Sequence, residues 1–461
     1  MADVLLTHSN HLYSDPKQVR KMQPYPPLQT LWAAAVLEQA GIDTALFDPT
    51  LIAPEAGFED ALARHSPRLV VVCEDDFNFL SKMCLGRNRE LAFWMAAVAR
   101  KRGIPIVGHG SDASDHAAEY LEAGFDVILI GEVESTLLEL AQDTPFSQIR
   151  GLAYQASGRV QYTPPRALRT NLDGLPLPAW HLVDAAPYRR AWVEAHGYFS
   201  LNVASSRGCP YRCNWCAKPI YGNTYHTRSP RSVAAELHYL KTRLRADHIW
   251  FADDIFALSG KWAEAFSDEV EALGAALPFK IQSRCDLMTR STVAALRQAG
   301  CIEVWMGAES GSQRVLDAMD KGIRVEQIGE ARENLRRHGV RACFFLQFGY
   351  PGEIWSDIEQ TIRMVRQTRP DDIGVSVSYP LPGTKFFDQV SDQLGPAANW
   401  RNSGDLAMMF RGTYSTEFYR ALADALHLEV RGPSEGAALE QAWQRVRLLE
   451  SADPVCTVVT S

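Results

Sequence analysis

Short apolar runs alternate with longer amphipathic segments along the first 145 residues. Val4–Thr7, Leu69–Cys73 and residues 104–107 and 126–130 are apolar enough to predict buried strands, and residues 31–40 predict a helix between two of them. Strands that are apolar throughout and alternate with helices are typical of a parallel sheet covered on both faces. Residues 1–145 are therefore predicted to form an α/β, doubly wound, Rossmann-like domain.

The same alternation resumes at about residue 201. Residues 146–200 are rich in proline and carry only short, weak strand signals, so they are predicted to be a connector. Six apolar runs follow, at residues 201–204, 248–251, 279–282, 302–306, 342–348 and 373–378. Six βα units predict a partial parallel barrel over residues 201–399. Residues 400–461 contain helix-like stretches and are predicted to form a helical C-terminal segment.

Composition narrows the possible functions. The chain has 461 residues, of which 47 are basic and 55 are acidic, for a net charge of −8. This acidic balance argues against a nucleic-acid-binding protein. No apolar run reaches the ~20 residues of a membrane span, and the first residues lack the basic segment of a secretion signal. We therefore expect a cytoplasmic protein that does not bind nucleic acid.

Three of the nine cysteines lie close together, in the segment Arg207-Gly-Cys-Pro-Tyr-Arg-Cys-Asn-Trp-Cys-Ala-Lys218. Cysteine thiolates are the usual ligands of iron–sulfur clusters, and three ligands on a 4Fe–4S cluster leave one iron open. Zinc is a weaker alternative, because structural zinc takes four protein ligands and no second Cys or His pair follows at finger-like spacing. We predict Cys209, Cys213 and Cys216 as cluster ligands.

The remaining cysteines contain no C-x2-C pair. They are Cys73, Cys84, Cys285, Cys301, Cys343 and Cys456. Buried free thiols are the expected outcome for such scattered cysteines.

The C-x3-C-x-aromatic-C spacing, with Trp215 as the aromatic residue, resembles the radical S-adenosylmethionine (SAM) superfamily. The resemblance implies a partial six-unit βα barrel whose open iron chelates the amino and carboxylate groups of SAM. It also implies that the reduced cluster cleaves SAM to a 5′-deoxyadenosyl radical, which abstracts hydrogen from an unactivated C–H bond. A flavodoxin or ferredoxin is the reductant that the resemblance implies.

Polar residues follow the successive barrel strands, where relatives of this family contact SAM. The SAM-binding residues implied by the resemblance are Trp215, Asp253, Asp254, Ser283, Arg284, Glu309, Ser310, Gln347, Gly349 and Gly352. An alternative for the acidic members is that they are solvated loop residues or helix caps. No catalytic residue beyond the cysteines is predicted.

Three segments resemble the cobalamin-binding subgroup of the family. They are Tyr25-Pro-Pro-Leu28, Asp126-Val-Ile-Leu-Ile-Gly-Glu-Val-Glu-Ser-Thr-Leu137, in which Val133 replaces the usual glycine, and Ser378-Tyr-Pro-Leu-Pro-Gly-Thr384. Ligands of doubly wound sheets lie at the carboxyl ends of the strands. Cobalamin contacts are therefore predicted at Ser9, Asn10, His11, Glu74, Asp75, Gly108, Gly110, Ser111, Asp112, Gly131 and Glu132.

Two absences qualify the cobalamin prediction. The chain has no D-x-H-x-x-G segment, so the benzimidazole base is expected off cobalt with no histidine from that motif. His8, His11 and His109 are the loop histidines left to approach the lower face of the corrin. No G-x-G-x-x-G follows the first strand, which disfavours a dinucleotide-binding domain. The alternative is a Rossmann-like module that has lost its cofactor or binds another nucleotide. The segment Glu74-Asp75-Asp76 is expected to face either corrin amides or solvent.

The resemblance favours cobalamin-dependent C-methylation of a small, natural-product-like substrate. One alternative is radical cyclisation, oxidation or ring rearrangement without methyl transfer, as in the related anaerobic magnesium-protoporphyrin ester cyclase subgroup. Another is a non-enzymatic protein that responds to cobalamin or SAM. Three intact cluster cysteines argue against this last possibility, since a binding protein needs no open iron.

Overall fold

The computed structural model of the chain describes residues 2–395, 399–432 and 436–452, which divide into two compact units. Unit 1 holds the described residues up to Cys209, together with Lys218–Asp253 and Asn399–Gly404. Unit 2 holds Pro210–Ala217, residues 254–395 and the described residues from Asp405 onward. No helix in these ranges is long and apolar enough to cross a membrane.

Unit 1 is built on a large, mostly parallel sheet. Its strands are β1 (Val4–Thr7), β2 (Thr44–Leu46), β3 (Leu69–Cys73), β4 (Ile106–His109), β5 (Val127–Leu129), β6 (Leu152–Ala156) and β7 (Arg159–Tyr162). They lie in the order β2-β1-β3-β4-β5-β6-β7. The first five are parallel, and β6 and β7 extend the sheet in antiparallel pairing.

Four further strands belong to unit 1. They are β8 (Ser200–Val203), β9 (Ser206–Arg207), β10 (His226–Thr227) and β11 (His248–Phe251). β8 pairs in parallel with β11, so the side chains of Asn202 and Trp250 are neighbours. β9, which leads into the cysteine motif, pairs antiparallel with β10.

The helices of unit 1 cover both faces of the sheet. They are α1 (Pro16–Lys21), α2 (Leu28–Gln39), α3 (Pro54–His65), α4 (Phe79–Lys82), α5 (Gly86–Lys101), α6 (Ser111–Asp115), α7 (Ala117–Ala123), α8 (Val133–Ala141), α9 (Ala185–His196) and α10 (Pro230–Arg243). Alternate strand residues enter two separate cores. Val70 and Val72 pack with α3 and α5, whereas Val71 packs with α2 and α8. Burial on both faces explains why these strands read as continuous apolar runs.

Unit 2 contains a second parallel sheet segment. Its strands are β12 (Phe279–Ser283), β13 (Cys301–Glu309), β14 (Arg341–Phe348) and β15 (Asp372–Val377), each paired in parallel with the next. Its helices are α11 (Gly260–Ala272), α12 (Arg290–Ala299), α13 (Gln313–Ala318), α14 (Val325–Arg337), α15 (Trp355–Thr368), α16 (Lys385–Val390), α17 (Thr416–Arg431) and α18 (Ala437–Ala452). A break in register between Gly307 and Glu309 bends the end of β13.

The predicted α/β class is confirmed, with every predicted strand present within three residues of its expected bounds. The sequence did not indicate that β6 and β7 join the first sheet. Their residues are largely half-buried or exposed, as expected at a sheet edge, so no continuous apolar run marks them. Five of the scattered cysteines are buried free thiols as predicted, and Cys456 lies outside the described residues.

Candidate active site

The three predicted cluster ligands lie on the loop that leaves β9. Gly208, with φ +78°, permits a close approach, because a Cβ there would lie 2.5 Å from the Thr224 carbonyl oxygen. Cys209, Cys213 and Cys216 are half-buried. The Cys216 N–H donates to the Cys213 carbonyl at 3.2 Å, so one turn carries both of these cysteines.

The thiols are not gathered into a finished metal site. Throughout residues 2–395, 399–432 and 436–452, no three Cys, His, Asp or Glu side chains stand close enough together to hold a metal ion. The turn places Cys213 and Cys216 near each other in sequence and in space. The features that favour a cluster here are therefore the spacing of the cysteines and the positive charges beside them.

Asn214, between two of the cysteines, anchors the turn inside unit 2. Its N–H donates to the Met319 carbonyl at 3.0 Å, and its carbonyl accepts from the Phe386 N–H at 3.0 Å. The side-chain amide donates to the Ala318 carbonyl at 2.6 Å, and the Tyr350 hydroxyl lies 3.0 Å from Oδ1. The turn is therefore fixed to the end of α13, to the loop after β14 and to α16.

Two cations lie beside Cys213. The Arg284 guanidinium is 4.0 Å from the Cys213 Sγ and stacks 3.7 Å from the centre of the Tyr211 ring. The Lys321 ammonium is 6.0 Å from the centre of the Trp215 ring. Burial acts to lower the pKa of Lys321, but attraction to Glu309 and to Cys213 outweighs burial and raises it. Both side chains are therefore cationic at neutral pH and place positive charge beside the cysteine turn.

Glu309, a predicted SAM-binding residue, sits in a strained position at the end of β13. Its φ is +58°, a left-handed value that is uncommon for a residue other than glycine. Its carboxylate accepts from the Lys321 ammonium at 2.7 Å, and both side chains are buried. A Cβ at Gly307 would lie 2.4 Å from Glu309 Oε1 and 2.5 Å from Lys321 Nζ. The ion pair thus covers the backbone where β13 bends.

Three other predicted SAM-binding residues hydrogen-bond within unit 2. The Ser283 hydroxyl donates to the Phe256 carbonyl at 3.0 Å. The Gln347 amide donates to the Ser378 hydroxyl at 3.0 Å. The Ser310 hydroxyl lies 3.1 Å from that of Thr361. These contacts order the ends of β12, β13 and β14, and SAM contact by these residues stays a prediction.

Gly349 and Gly352 belong to a turn after β14 that closes on Glu353. The Gly349 N–H donates to Glu353 Oε2 at 2.6 Å. Glu353 is buried, and its Oε1 has no hydrogen-bond partner among the described residues. Burial raises the pKa of Glu353 to about 8. This carboxyl, which the sequence analysis did not single out, is protonated at neutral pH.

Asp253 and Asp254 lie in different units. In unit 1, Asp253 is buried and accepts hydrogen bonds from the Ser205 N–H, the Ser205 hydroxyl and the Ser206 hydroxyl. Burial raises the pKa of Asp253 to about 6. Asp253 thereby orders the chain just before the cysteine motif. Asp254, in unit 2, is exposed.

The predicted cobalamin residues of unit 1 meet at one edge of its sheet. The Ser9 N–H, after β1, donates to Glu74 Oε1, after β3, at 2.9 Å. A Cβ at Gly110, after β4, would lie 2.7 Å from the Cβ of Glu74. The His109 ring donates to the Gly131 carbonyl, after β5, at 3.0 Å. The carboxyl ends of four parallel strands are therefore adjacent, as the sequence predicted.

The acidic turn after β3 is buried, which rules out the alternative of a solvated turn. Asp75 accepts from the backbone N–H groups of Gln29 and Phe77, at 3.1 and 3.2 Å. Glu74 Oε2 and both carboxylate oxygens of Asp76 have no hydrogen-bond partner within the described part of the chain. Burial raises the pKa values of Glu74 and Asp76, and that of Asp76 rises most strongly.

The remaining predicted residues of this edge are engaged by neighbouring side chains or backbone. Asp112, next to Ser111 at the start of α6, binds the Arg89 guanidinium, with 2.7 Å between its Oδ2 and Arg89 Nε. The Asn10 N–H donates to His8 at 3.1 Å, and the His11 ring donates to the Pro49 carbonyl at 2.8 Å. Gly108 packs against Phe125 and Ile128 in the core. These residues shape the edge from behind.

Glu132 belongs to a buried ion network that the sequence did not reveal. The Arg207 guanidinium donates to Glu132 Oε1 at 2.7 Å and to Glu134. Gln29 also donates to Glu134 at 3.0 Å, and the Tyr221 hydroxyl donates to Gln29 at 2.7 Å. Burial opposes ionisation of Glu134, but the charge of Arg207 lowers its pKa to about 2. The network fixes the residue two positions before Cys209 to the end of β5.

Comparison with known proteins identifies the second βα array. Residues 203–365 match the model of the Radical SAM superfamily. These residues form a radical SAM domain. The predicted relationship is therefore confirmed, and the match covers both the cysteine motif and the strands that carry the predicted SAM contacts.

Two curated relatives and one solved structure extend the comparison. The chain is 29% identical to an uncharacterized methyltransferase of Pyrococcus horikoshii, over 60% of each chain. It is 25% identical to the anaerobic magnesium-protoporphyrin IX monomethyl ester cyclase of Rubrivivax gelatinosus, over 58% of this chain and 50% of the cyclase. The chain thus spans about half to three fifths of the length of these relatives.

The solved structure is that of the radical SAM methyltransferase TsrM from Kitasatospora setae, with cobalamin and a [4Fe–4S] cluster bound. It superposes with a TM-score of 0.69 at 20% identity, covering 85% of this chain and 75% of TsrM. The likeness shows a shared fold over most of the chain, N-terminal sheet included. The α/β fold class predicted from the sequence is therefore confirmed.

The residues of this radical SAM protein fit both cofactors that the resemblance implies. Soft thiolates on a turn, beside two cations, suit an iron–sulfur cluster. At the sheet edge of unit 1, unpartnered oxygens of Glu74 and Asp76 are acceptors that the peripheral amide N–H groups of a corrin would satisfy. Each set of donors thus suits the chemistry of one cofactor.

Sequence reasoning missed several residues that organise the radical SAM site. They are Asn214, Lys321, Glu353 and Arg207. Only their partners in space reveal them, since no spacing in the sequence links Lys321 to Glu309 or Arg207 to Glu134. Asn214 lies inside the motif, but its partners Ala318 and Tyr350 are distant in sequence.

Proposed function

We propose that this chain is a cobalamin-dependent radical SAM enzyme that methylates an unactivated carbon of a small-molecule substrate. The cluster is held by Cys209, Cys213 and Cys216. Cobalamin lies at the carboxyl edge of the unit 1 sheet, against Glu74 and its neighbours. The methyltransferases among the relatives and solved structures support this reaction.

One observation carries the proposal. A C-x3-C-x-W-C turn with cations beside Cys213 occurs in the same chain as a doubly wound sheet whose edge holds buried, unpartnered carboxylate oxygens. The first feature supports a cluster and SAM. The second supports a large ligand rich in amide N–H groups, such as the peripheral amides of a corrin.

When bound, the cluster supplies the electron that cleaves SAM, and cobalamin supplies the methyl group. The residues of this chain bind the cofactors and orient the reactants. Asn214 fixes the cysteine turn, and Arg284 and Lys321 neutralise negative charge beside it. The turn closed by Glu353 holds the backbone of Gly349, where the resemblance implies a contact with the adenine of SAM. Holding reactants in contact is the main contribution such a protein makes to radical transfer.

The domain assignment completes the proposal. Residues 1–145 form the cobalamin-binding domain, residues 146–200 a connector, residues 201–399 the radical SAM partial barrel, and residues 400–461 a C-terminal segment. A flavodoxin or ferredoxin supplies electrons. Because such a cluster is oxygen-labile, the cytoplasm is the compartment we propose for the enzyme.

The test is anaerobic reconstitution of the full chain with iron, sulfide and hydroxocobalamin. We expect about four irons per chain and about one cobalt. Addition of reductant, SAM and candidate substrates is then expected to yield methylated product, 5′-deoxyadenosine and S-adenosylhomocysteine. Iron without cobalt would overturn the methyl-transfer mechanism, and absence of both would overturn the enzyme assignment.

A second candidate is radical cyclisation or oxidation without methyl transfer. The similarity to the magnesium-protoporphyrin ester cyclase over 58% of this chain favours it. S-adenosylhomocysteine separates the two candidates, because only the methyltransferase forms it in step with product. Product without S-adenosylhomocysteine would select the cyclase-type reaction.

A further inference from the structure

Lys321 and Glu309 form a buried ion pair that stability alone does not explain. Their side chains are 7% and 5% exposed, with 2.7 Å between Nζ and Oε1. The cost of removing two charges from water often exceeds what a buried pair regains, so apolar residues are frequently as stable there. Glu309 moreover holds a left-handed φ of +58° to make the contact. Strain and buried charge together point to a functional role.

The position of the pair indicates which function it serves. The space above Gly307 is filled by Glu309 Oε1 and Lys321 Nζ, so the pair lies over the bend at the end of β13. The Lys321 ammonium faces the ring of Trp215, inside the cysteine motif, and attraction to Cys213 contributes to its pKa. The pair therefore stands between the end of a sheet strand and the cysteine turn.

The charges around Cys213 differ in how far they are neutralised. Arg284, the nearer cation, is held by Asp286, with 2.9 Å between its Nε and Oδ1, and is partly screened. The Lys321 ammonium has three N–H donors, and one of them donates to Glu309 Oε1. Both side chains are buried there. In a low dielectric, this fixed cation, 6.0 Å from the centre of the Trp215 ring, favours negative charge on the turn.

We infer that the Lys321–Glu309 pair sets the reduction potential of the cluster held by the cysteine turn. This inference rests on the proposed function, which supplies the cluster. Reduction transfers one electron from the flavodoxin or ferredoxin to the cluster and no proton, so the turn gains one negative charge. Lys321 stabilises that charge and raises the potential, and Glu309 offsets part of the effect. Lys321 is thus a positioning residue that acts through electrostatics.

The test measures the midpoint potential of the reconstituted full chain without SAM, by anaerobic titration followed by electron paramagnetic resonance. Lys321→Met is expected to shift the potential to a more negative value. Glu309→Gln, which leaves Lys321 uncompensated, is expected to shift it in the opposite direction. Lys321→Arg, which keeps the charge, is expected to stay near the wild-type potential. Opposite shifts in the first two variants are a signature that a purely structural role would not produce.

Lys385→Met is the matched control, because Lys385 pairs with Asp320 at 3.5 Å but is 75% exposed. It is expected to leave the potential unchanged, since solvent screens the charge. Loss of iron in Lys321→Met alone, with Lys321→Arg intact, would also support a charge role, because methionine keeps a side chain of similar length but not the charge. Loss of iron in Lys321→Arg, or an unchanged potential in iron-loaded Lys321→Met and Glu309→Gln, would overturn the inference. A wild-type chain that binds no iron would instead refute the proposed function.

Discussion

The sheet edge of unit 1 and the cysteine turn of unit 2 bury charge in opposite ways. The edge of unit 1 gathers Glu74, Asp75 and Asp76 after one strand, and three of their oxygens lack donors within the described residues. The turn of unit 2 has Arg284 and Lys321 beside Cys213. A site short of donors suits a neutral ligand that brings N–H groups, whereas a site rich in cations suits an anionic group. The two regions therefore suit ligands of different charge and hydrogen-bonding character.

The largest expected effect tests the cationic side of this comparison. Cys213→Ser removes the thiolate that Arg284 and Lys321 flank. Substitution of residues that merely support a metal ligand costs ~10–100-fold in affinity or activity, so loss of a ligand is expected to cost more. We expect iron content to collapse and 5′-deoxyadenosine formation to fall to background, while cobalt content stays.

The control is Cys301→Ser, since Cys301 is buried on β13 and lies within 3.6 Å of the Glu303 carbonyl. It is expected to keep its iron. A Cys213→Ser chain that still holds four irons would show that the turn is not the cluster site and would break the comparison.

The next effect tests how unit 1 tolerates its buried acids. Arg207→Met leaves Glu132 and Glu134 without their cation, and breaking a buried pair in this way costs about 3–5 kcal/mol. We expect that loss in the free energy of unfolding, measured by urea titration at neutral pH. Arg102→Met is the matched control, because Arg102 binds Glu59 at the surface and such pairs contribute about 0–1 kcal/mol. Equal losses in both variants would contradict the network's role.

The sequence predicted the strands and the edge but not the charges that distinguish the two sites. Val70, Val71 and Val72 are readable as a strand because burial on both faces demands apolar residues. The cysteine spacing is readable because one turn must carry two thiols. By contrast, Lys321 reaches Glu309 only through the bend of β13, and Arg207 meets Glu134 only after two distant segments pack. Such pairings are tertiary, and no local pattern encodes them.

The unpartnered acids offer a smaller and sharper test. Asp76→Asn replaces a buried carboxyl whose oxygens have no donor and whose ionisation burial opposes, so we expect the apo chain to become more stable at pH 7. If corrin amides donate to Asp76, the same variant is expected to weaken cobalamin binding, since a hydrogen bond to a charged group contributes ~1.5–3 kcal/mol, or roughly tenfold or more in Kd. Urea titration and cobalamin binding followed by absorbance measure the two effects.

Glu122→Gln provides the control, because Glu122 is an exposed carboxylate on α7 of the same unit. It is expected to change neither quantity. Greater stability with unchanged cobalamin affinity would mean that Asp76 is a buried acid that accepts no hydrogen bond from cobalamin. That result would remove the donor-poor edge from the argument for cobalamin.

The last effect appears only as a pH dependence and concerns Glu353, a buried acid in the turn after β14 that behaves like those of unit 1. Burial raises the pKa of Glu353 from 4.5 to about 8. The folded state binds the proton of Glu353 more tightly than the unfolded state does. The contribution of Glu353 to the free energy of unfolding is therefore greatest below pH 4.5 and falls as the pH rises toward 8. The expected slope is ~1.4 kcal/mol per pH unit at most.

Glu353→Gln keeps an acceptor for the Gly349 N–H and is expected to flatten the slope, whereas exposed Glu359→Gln is expected to preserve it. Urea titrations between pH 5 and 8.5 measure this difference. Identical slopes in wild type and Glu353→Gln would mean that Glu353 ionises freely, so that buried, donor-poor acids would be confined to unit 1 and the contrast between the two regions would be complete.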